Sequence, residues 1–238
     1  IMEGTIQNGF ALVRPPGHHA EASRAMGFCL FNNIGIGAAH LVKKHGLKRV
    51  LVVDWDLHHG NGTQHSFYES PEVLYFSTHQ FPHYPGTGHW NEAGSGKGEG
   101  FTVNVPLRAG KTDDDYLCIF QTILRPIASE YKPEFILVSA GFDIYEDDPL
   151  GGMKVTSQGF AALAAELMEM AAEFSQKRLL LALEGGYSLQ GLRDGVEQVL
   201  HQLSGEASPP AIEPKSSQAL ESELSPVIQI QKKFWPSL

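Results

Sequence analysis

The chain has 238 residues, 42% of them hydrophobic, which suits one large domain or two small ones with a substantial core. Its formal net charge of −9, with no basic stripe, excludes bulk nucleic-acid phosphate binding but suits a cationic substrate or a basic protein tail. Two cysteines, Cys29 and Cys118, stand outside any CxxC pair, excluding a disulfide scaffold or thiolate zinc finger, and no apolar run is long enough for a membrane-spanning helix. Free thiols and the lack of a signal-peptide pattern in IMEGTIQNGF predict a cytoplasmic location.

In chain order, chemistry begins almost at once. RPPGHHA (14–20) sets a rigid Pro-Pro-Gly turn followed by two histidines. Segment 32–46 predicts a helix ending in Lys-Lys-His-Gly. KRVLVVD (48–54) is continuously apolar before its final acid, as a strand buried on both faces must be. Further strands are predicted at 73–79, 101–107, 134–143 and 178–187, with helices at 113–131 and 157–177. The methionines of the last helix read as core packing. Residues 204–218 are Pro/Ser-rich and read as a linker, after which the aromatic tail docks back on the domain. Alternating strands and helices predict an α/β domain with a mostly parallel sheet. Ligands then lie at the carboxyl ends of strands, where Asp54, His79, Asp143 and Glu184 fall.

DWDLHHG (54–60) follows the most apolar strand. In extended backbone, Asp54, Asp56 and His58 share one face and Trp55 and Leu57 the other. A divalent-metal site and a hydrogen-bonded polar cluster both fit this segment taken alone. Asp143, closing the apolar run VSAGFD, favours the metal, because zinc accepts such N/O donors. The pair His18-His19 suits proton transfer near neutrality as well as a structural role. In EGGY (184–187), Tyr187 could donate to an oxyanion or simply pack.

Taken together in order, RPPGHH, GFC, DxDxHHGNGT, HxFPxYPGTG, AGFD and LEGGY resemble the zinc-dependent histone deacetylase family over roughly residues 5–200, and the closing FWPSL resembles the tail of bacterial, class II-like members. The resemblance implies the arginase–deacetylase fold, a three-layer α/β domain with a central, mostly parallel sheet. It implies a catalytic domain at 1–203 and a linker and tail at 204–238. It implies zinc on Asp56, His58 and Asp143, with Fe²⁺ able to use the same ligands. Asp54 would orient His18. A structural potassium ion would lie at Asp54, Ser77 and Thr78, and a second monovalent cation near Phe67, Ser70, Val73 and Phe101. His19 would be the general base and acid, His18 its electrostatic companion, and Tyr187 the oxyanion donor. Gly27, Phe28, Tyr84 and Leu150 would line a narrow channel for an acetyl-lysine side chain of a peptide or protein.

Two departures stand out. Asn61 replaces the Asp that some relatives place beside the base, which predicts a less basic His19. Leu150 replaces a glutamate of polyamine-selective relatives, and an apolar gate does not compensate the desolvation of an amine. Small acetylated amines are thus the alternative substrate; a non-catalytic acyl-lysine binding module and a two-manganese arginase-like hydrolase are further alternatives. The long stretch that relatives carry before RPPGHH, with its first strand, helices and an acidic substrate-gripping residue, is not expected from residues 1–13. The sequence therefore reads as truncated in front, with an exposed sheet edge and a risk of aggregation.

Overall fold

Parallel strands covered on both faces need apolar side chains at successive positions, and Val50–Val53 and Phe135–Val138 supply them, all fully or almost fully buried. The computed structural model describes residues 1–238. Its strands are β1 (Asn8–Ala11), β2 (Val50–Asp54), β3 (Val73–Gln80), β4 (Thr102–Leu107), β5 (Phe135–Ala140) and β6 (Leu179–Leu183). They form one sheet in the order β1-β6-β5-β2-β3-β4, with every pairing parallel. Helices α1 (Asn33–His45), α2 (Asn61–Phe67), α3 (Asp113–Ile119), α4 (Arg125–Tyr131), α5 (Ser157–Phe174), α6 (Leu189–Ser204) and α7 (Gln218–Gln231) connect or flank them.

The alternation along β2 splits the core. Val50 and Val52 join Ile34, Ala38 and Leu41 of α1 on one face. Leu51, Val53, Trp55 and Leu57 join α3, α5 and α7 on the other. Local signals fix the helix ends. Asn32 accepts from the Gly35 amide to start α1, and left-handed Gly46 ends it. Thr112 and Asp115 form a capping box on α3. The predicted helix 113–131 is continuous, with a π-helical turn at Phe120–Leu124 between α3 and α4.

Residues 1–13 contain an edge strand, β1, for which the sequence gives no strand signal; it pairs with β6 from Asn8↔Leu179 to Ala11↔Ala182. Four residues including a glycine carry no alternation to read. Packing decides: Phe10 stacks 6.1 Å from Phe142, and the Asn8 side chain donates to the Leu203 carbonyl. Two predicted strands were also too long. β5 stops at Ala140 and β6 at Leu183, so Asp143, Glu184 and Tyr187 stand on loops at the carboxyl edge.

The tail lies along β4. Gln231 donates to the Thr102 carbonyl and the Trp235 indole to the Gly100 carbonyl at 3.0 Å. The Trp235 ring sits edge-on to Phe101 and Tyr131 and is 7% exposed. Trp235→Ala is expected to destabilise the protein by about 3–5 kcal/mol. Urea denaturation checks it, and a change below roughly 1 kcal/mol would mean the tail contributes little.

Candidate active site

The alternation read in DWDLHHG persists past the end of β2. Trp55 and Leu57 enter the core, while Asp54, Asp56 and His58 face the carboxyl edge of the sheet. Asp143 reaches the same spot from the loop after β5. One donor atom each from Asp56, His58 and Asp143 lies within 4.8 Å of the others, and all three residues are buried. Backbone amides pin the carboxylates. Asp56 accepts from the His58 and Gly185 amides, both at 2.8 Å, and Asp143 accepts from the Leu57 amide at 2.9 Å. Gly185 is required here, since a Cβ would collide with both carboxylates.

The donor chemistry suits a cation. His58 Nδ1 lies 3.1 Å from Asp56 and 3.0 Å from Asp143. A single ring proton cannot serve both. Burial, reinforced by the Asp56 carboxylate, raises the Asp143 pKa. At His58 burial is outweighed by hydrogen bonds to Asp143 and Asp56, which lift the ring to about 10. Two buried anions converging on one imidazole are what a divalent metal neutralises.

The histidine pair sits beside this cluster. Glu184, on the loop after β6, holds their turn: its carboxylate accepts from the Gly17 amide at 2.5 Å and the His18 amide at 3.1 Å, and from the Ser139 hydroxyl at 3.1 Å. The start of α2 grips the other side, with the Gly62 and Thr63 amides donating to the His18 carbonyl. The rings lie 4.1 Å apart but their surroundings differ. His18 Nδ1 donates to Asp54 at 3.0 Å, and Tyr75 donates to the same carboxylate oxygen at 2.9 Å. Burial opposes charge on His18, but the carboxylates of Asp54, Asp56 and Glu184 outweigh it and lift its pKa well above the ordinary value. His19 Nδ1 meets Asn61 Oδ1 at 2.8 Å. Burial and the neighbouring His18 push its pKa down to about 3. The surroundings thus drive the two imidazoles in opposite directions, His18 toward the charged form and His19 toward the neutral one.

A family model described as "Histone deacetylase domain" matches residues 1–203. The chain belongs to the histone deacetylase family. It is 48% identical over 200 residues to "Histone deacetylase 10, chloroplastic" of Oryza sativa subsp. japonica, a match covering 84% of this chain and 45% of that protein. It is 44% identical to "Histone deacetylase 15" of Arabidopsis thaliana, covering 100% and 43%, and 41% identical to "Histone deacetylase HDA1" of Candida albicans, covering 100% and 29%. The solved structure titled "Crystal Structure of HDA15 HD domain" superposes with a TM-score of 0.90 at 44% identity, covering 99% of this chain and 64% of that one. The parallel sheet with flanking helices is the arginase–deacetylase fold. The chain spans less than half the length of these curated relatives.

The other residues picked out in the sequence are placed as follows. Gly27 and Phe28 both take left-handed backbone, at φ +56° and +64°, and bring the Phe28 ring to 6.1 Å from Tyr187. The Tyr84 ring stands edge-on to His19 at 5.1 Å and to His58 at 6.2 Å. Burial, reinforced by the Asp56 and Asp143 carboxylates, raises the Tyr187 hydroxyl well above the ordinary phenol range, so it stays a donor. Ser77 sits opposite Asp54 in the β2–β3 register, and the buried Thr78 hydroxyl has no hydrogen-bond partner.

Sequence reading missed several participants. Asp148 accepts from the Tyr187 and Ser188 amides at 2.7 and 3.1 Å and from the Leu150 amide at 2.9 Å, tying the Tyr187 loop to the Leu150 segment. His83 stacks on His58 at 5.2 Å. Glu184 was placed at a strand end but given no role. His83 and Glu184 lie inside the FPxYPGTG and LEGGY motifs, but Asp148 lies in neither, and its contacts to the Tyr187 loop are 39 and 40 residues away in sequence.

Proposed function

We propose that the domain is a zinc-dependent amidohydrolase that removes acetyl groups from lysine side chains of proteins or peptides. The observation that carries this is geometric: the buried Asp56-His58-Asp143 triad stands beside the His18-His19 pair, whose rings lie 4.1 Å apart, with the His19 ring 5.9 Å from that of His58. The metal, zinc or Fe²⁺, would be held by Asp56, His58 and Asp143 and would supply Lewis-acid polarisation of the acetyl carbonyl and of water. His19, neutral and with its δ-nitrogen committed to Asn61, takes the attacking water's proton at Nε2 and returns it to the leaving lysine amine. Charged His18, held by Asp54, favours the negative charge that develops. The Tyr187 hydroxyl donates to the nascent oxyanion. Phe28 and Tyr84 flank the four-carbon stem, and apolar Leu150 favours a peptide-borne lysine over a free polyamine.

A potassium ion at Asp54, Ser77 and Thr78 belongs to the same proposal, supported by the register and the unpartnered Thr78 hydroxyl. We assign catalysis to residues 1–203 and a strap-like role to 204–238. Both cysteines are free and buried, which suits a reducing compartment such as the cytoplasm. No helix is long and apolar enough to cross a membrane.

Metal analysis together with turnover of an acetyl-lysine peptide and acetylspermidine tests this reading. Tyr187→Phe is expected to lower kcat by about 10²–10³ with zinc still bound. A strong preference for the polyamine, or an unaffected Tyr187→Phe variant, would overturn it.

A further inference from the structure

An asparagine beside a catalytic histidine poses a problem that an aspartate does not. Its amide has two ends of nearly equal shape, one accepting and one donating. With Oδ1 toward His19, the ring must carry its proton on Nδ1, leaving Nε2 free as an acceptor. With the amide flipped, the NH₂ faces Nδ1, the proton moves to Nε2, and the ring cannot accept there. Something must choose between these orientations.

Around Asn61 the choice is visible. Its Nδ2 points to Glu21 Oε1 at 2.5 Å. The other acceptors near Nδ2, the His19 carbonyl and the Met26 sulfur, both stand at 3.4 Å. A carboxylate only accepts, so a flipped amide would press Asn61 Oδ1 against Glu21 Oε1. His65, on α2, braces the same carboxylate through Nδ1 at 2.8 and 3.0 Å from its two oxygens. The Glu21 side chain is 19% exposed and Asn61 is buried, so water offers the amide little alternative.

We infer that Glu21 is a positioning residue: by fixing the Asn61 amide it selects the His19 tautomer with Nε2 unprotonated. The inference rests on His19 being the base of the proposed deacetylation, but its structural half stands without it. Glu21 never touches substrate; it acts two hydrogen bonds away from the ring.

Glu21→Gln provides the test, because glutamine keeps the shape and can offer Asn61 either an NH₂ or a carbonyl. In this variant kcat is expected to fall about tenfold or more with KM little changed, as for partners that orient an active-site group. ¹⁵N NMR of histidine-labelled protein is expected to show His19 passing from one Nδ1-protonated form to a mixture. The double variant Glu21→Gln/Asn61→Asp should recover both readouts, since an aspartate at 61 accepts in either orientation. Retention of a pure Nδ1-protonated His19 in Glu21→Gln, or a double variant as impaired as the single one, would overturn the assignment. If the chain proved not to be a deacetylase, the tautomer measurement would still decide it.

Discussion

Replacing Asp143 by asparagine is expected to abolish stoichiometric zinc binding and to lower kcat/KM on an acetyl-lysine peptide by about 10³-fold or more. A metal that polarises a reacting oxygen is worth several kcal/mol of barrier, and each ~1.4 kcal/mol is tenfold in rate. Asparagine preserves the contact with the Leu57 amide through its carbonyl oxygen, so the loop that carries it should stay in place. What disappears is one of the two charges that complete the site. The same change predicts an opposite effect on the empty protein. Burial and the adjacent Asp56 carboxylate make an ionised Asp143 costly, so the metal-free variant should be at least as stable as the metal-free parent. Adding zinc should then raise Tm for the parent and leave the variant unmoved. Metal analysis after dialysis, turnover and paired thermal melts read all three. A variant that keeps one zinc per chain would remove Asp143 from the ligand set.

Much of this site was legible because it breaks a local rule. Charges almost never follow a fully apolar strand into a core, so Asp54, Asp56 and Asp143 announced themselves, and the period-two geometry of extended chain separated them from Trp55 and Leu57. Strands β2 to β6 were legible for the complementary reason, since a parallel sheet covered on both faces writes continuous apolar runs. Elements decided by tertiary packing were not. β1 is four residues long. α2 opens on Asn-Gly, a turn signal, yet holds the His18 carbonyl. α6 contains Gly191 and Gly195, poor helix formers, because Tyr145 and Phe142 pack where side chains would project. α7 carries Pro226 in its interior. What the carboxylates of Glu21, Asp148 and Glu184 do was not legible because their partners lie 39 to 167 residues away in sequence or, for the nearer contacts, leave no periodic trace.

Removing the imidazole of His19 is expected to cost about 10²–10⁴ in kcat, the usual contribution of a positioned base, with KM changed only a few-fold. The pH dependence makes this specific. In the proposed deacetylation the base must be unprotonated, and burial together with the neighbouring His18 pushes His19 down to about 3. The acid limb of kcat/KM should therefore lie below 6.5, the ordinary imidazole value. In the same proposal His18 keeps its proton to favour the developing negative charge. There burial is outweighed by Asp54, Asp56 and Glu184, so the alkaline limb should lie above that same value. The pair would give a plateau wider than two unperturbed histidines allow. Asn61→Asp places a carboxylate against the His19 ring and should shift the acid limb upward, while His19→Ala should erase it from the residual rate. An acid limb at or above 6.5 in the parent protein, or one left in place by His19→Ala, would mean that another group takes the water's proton.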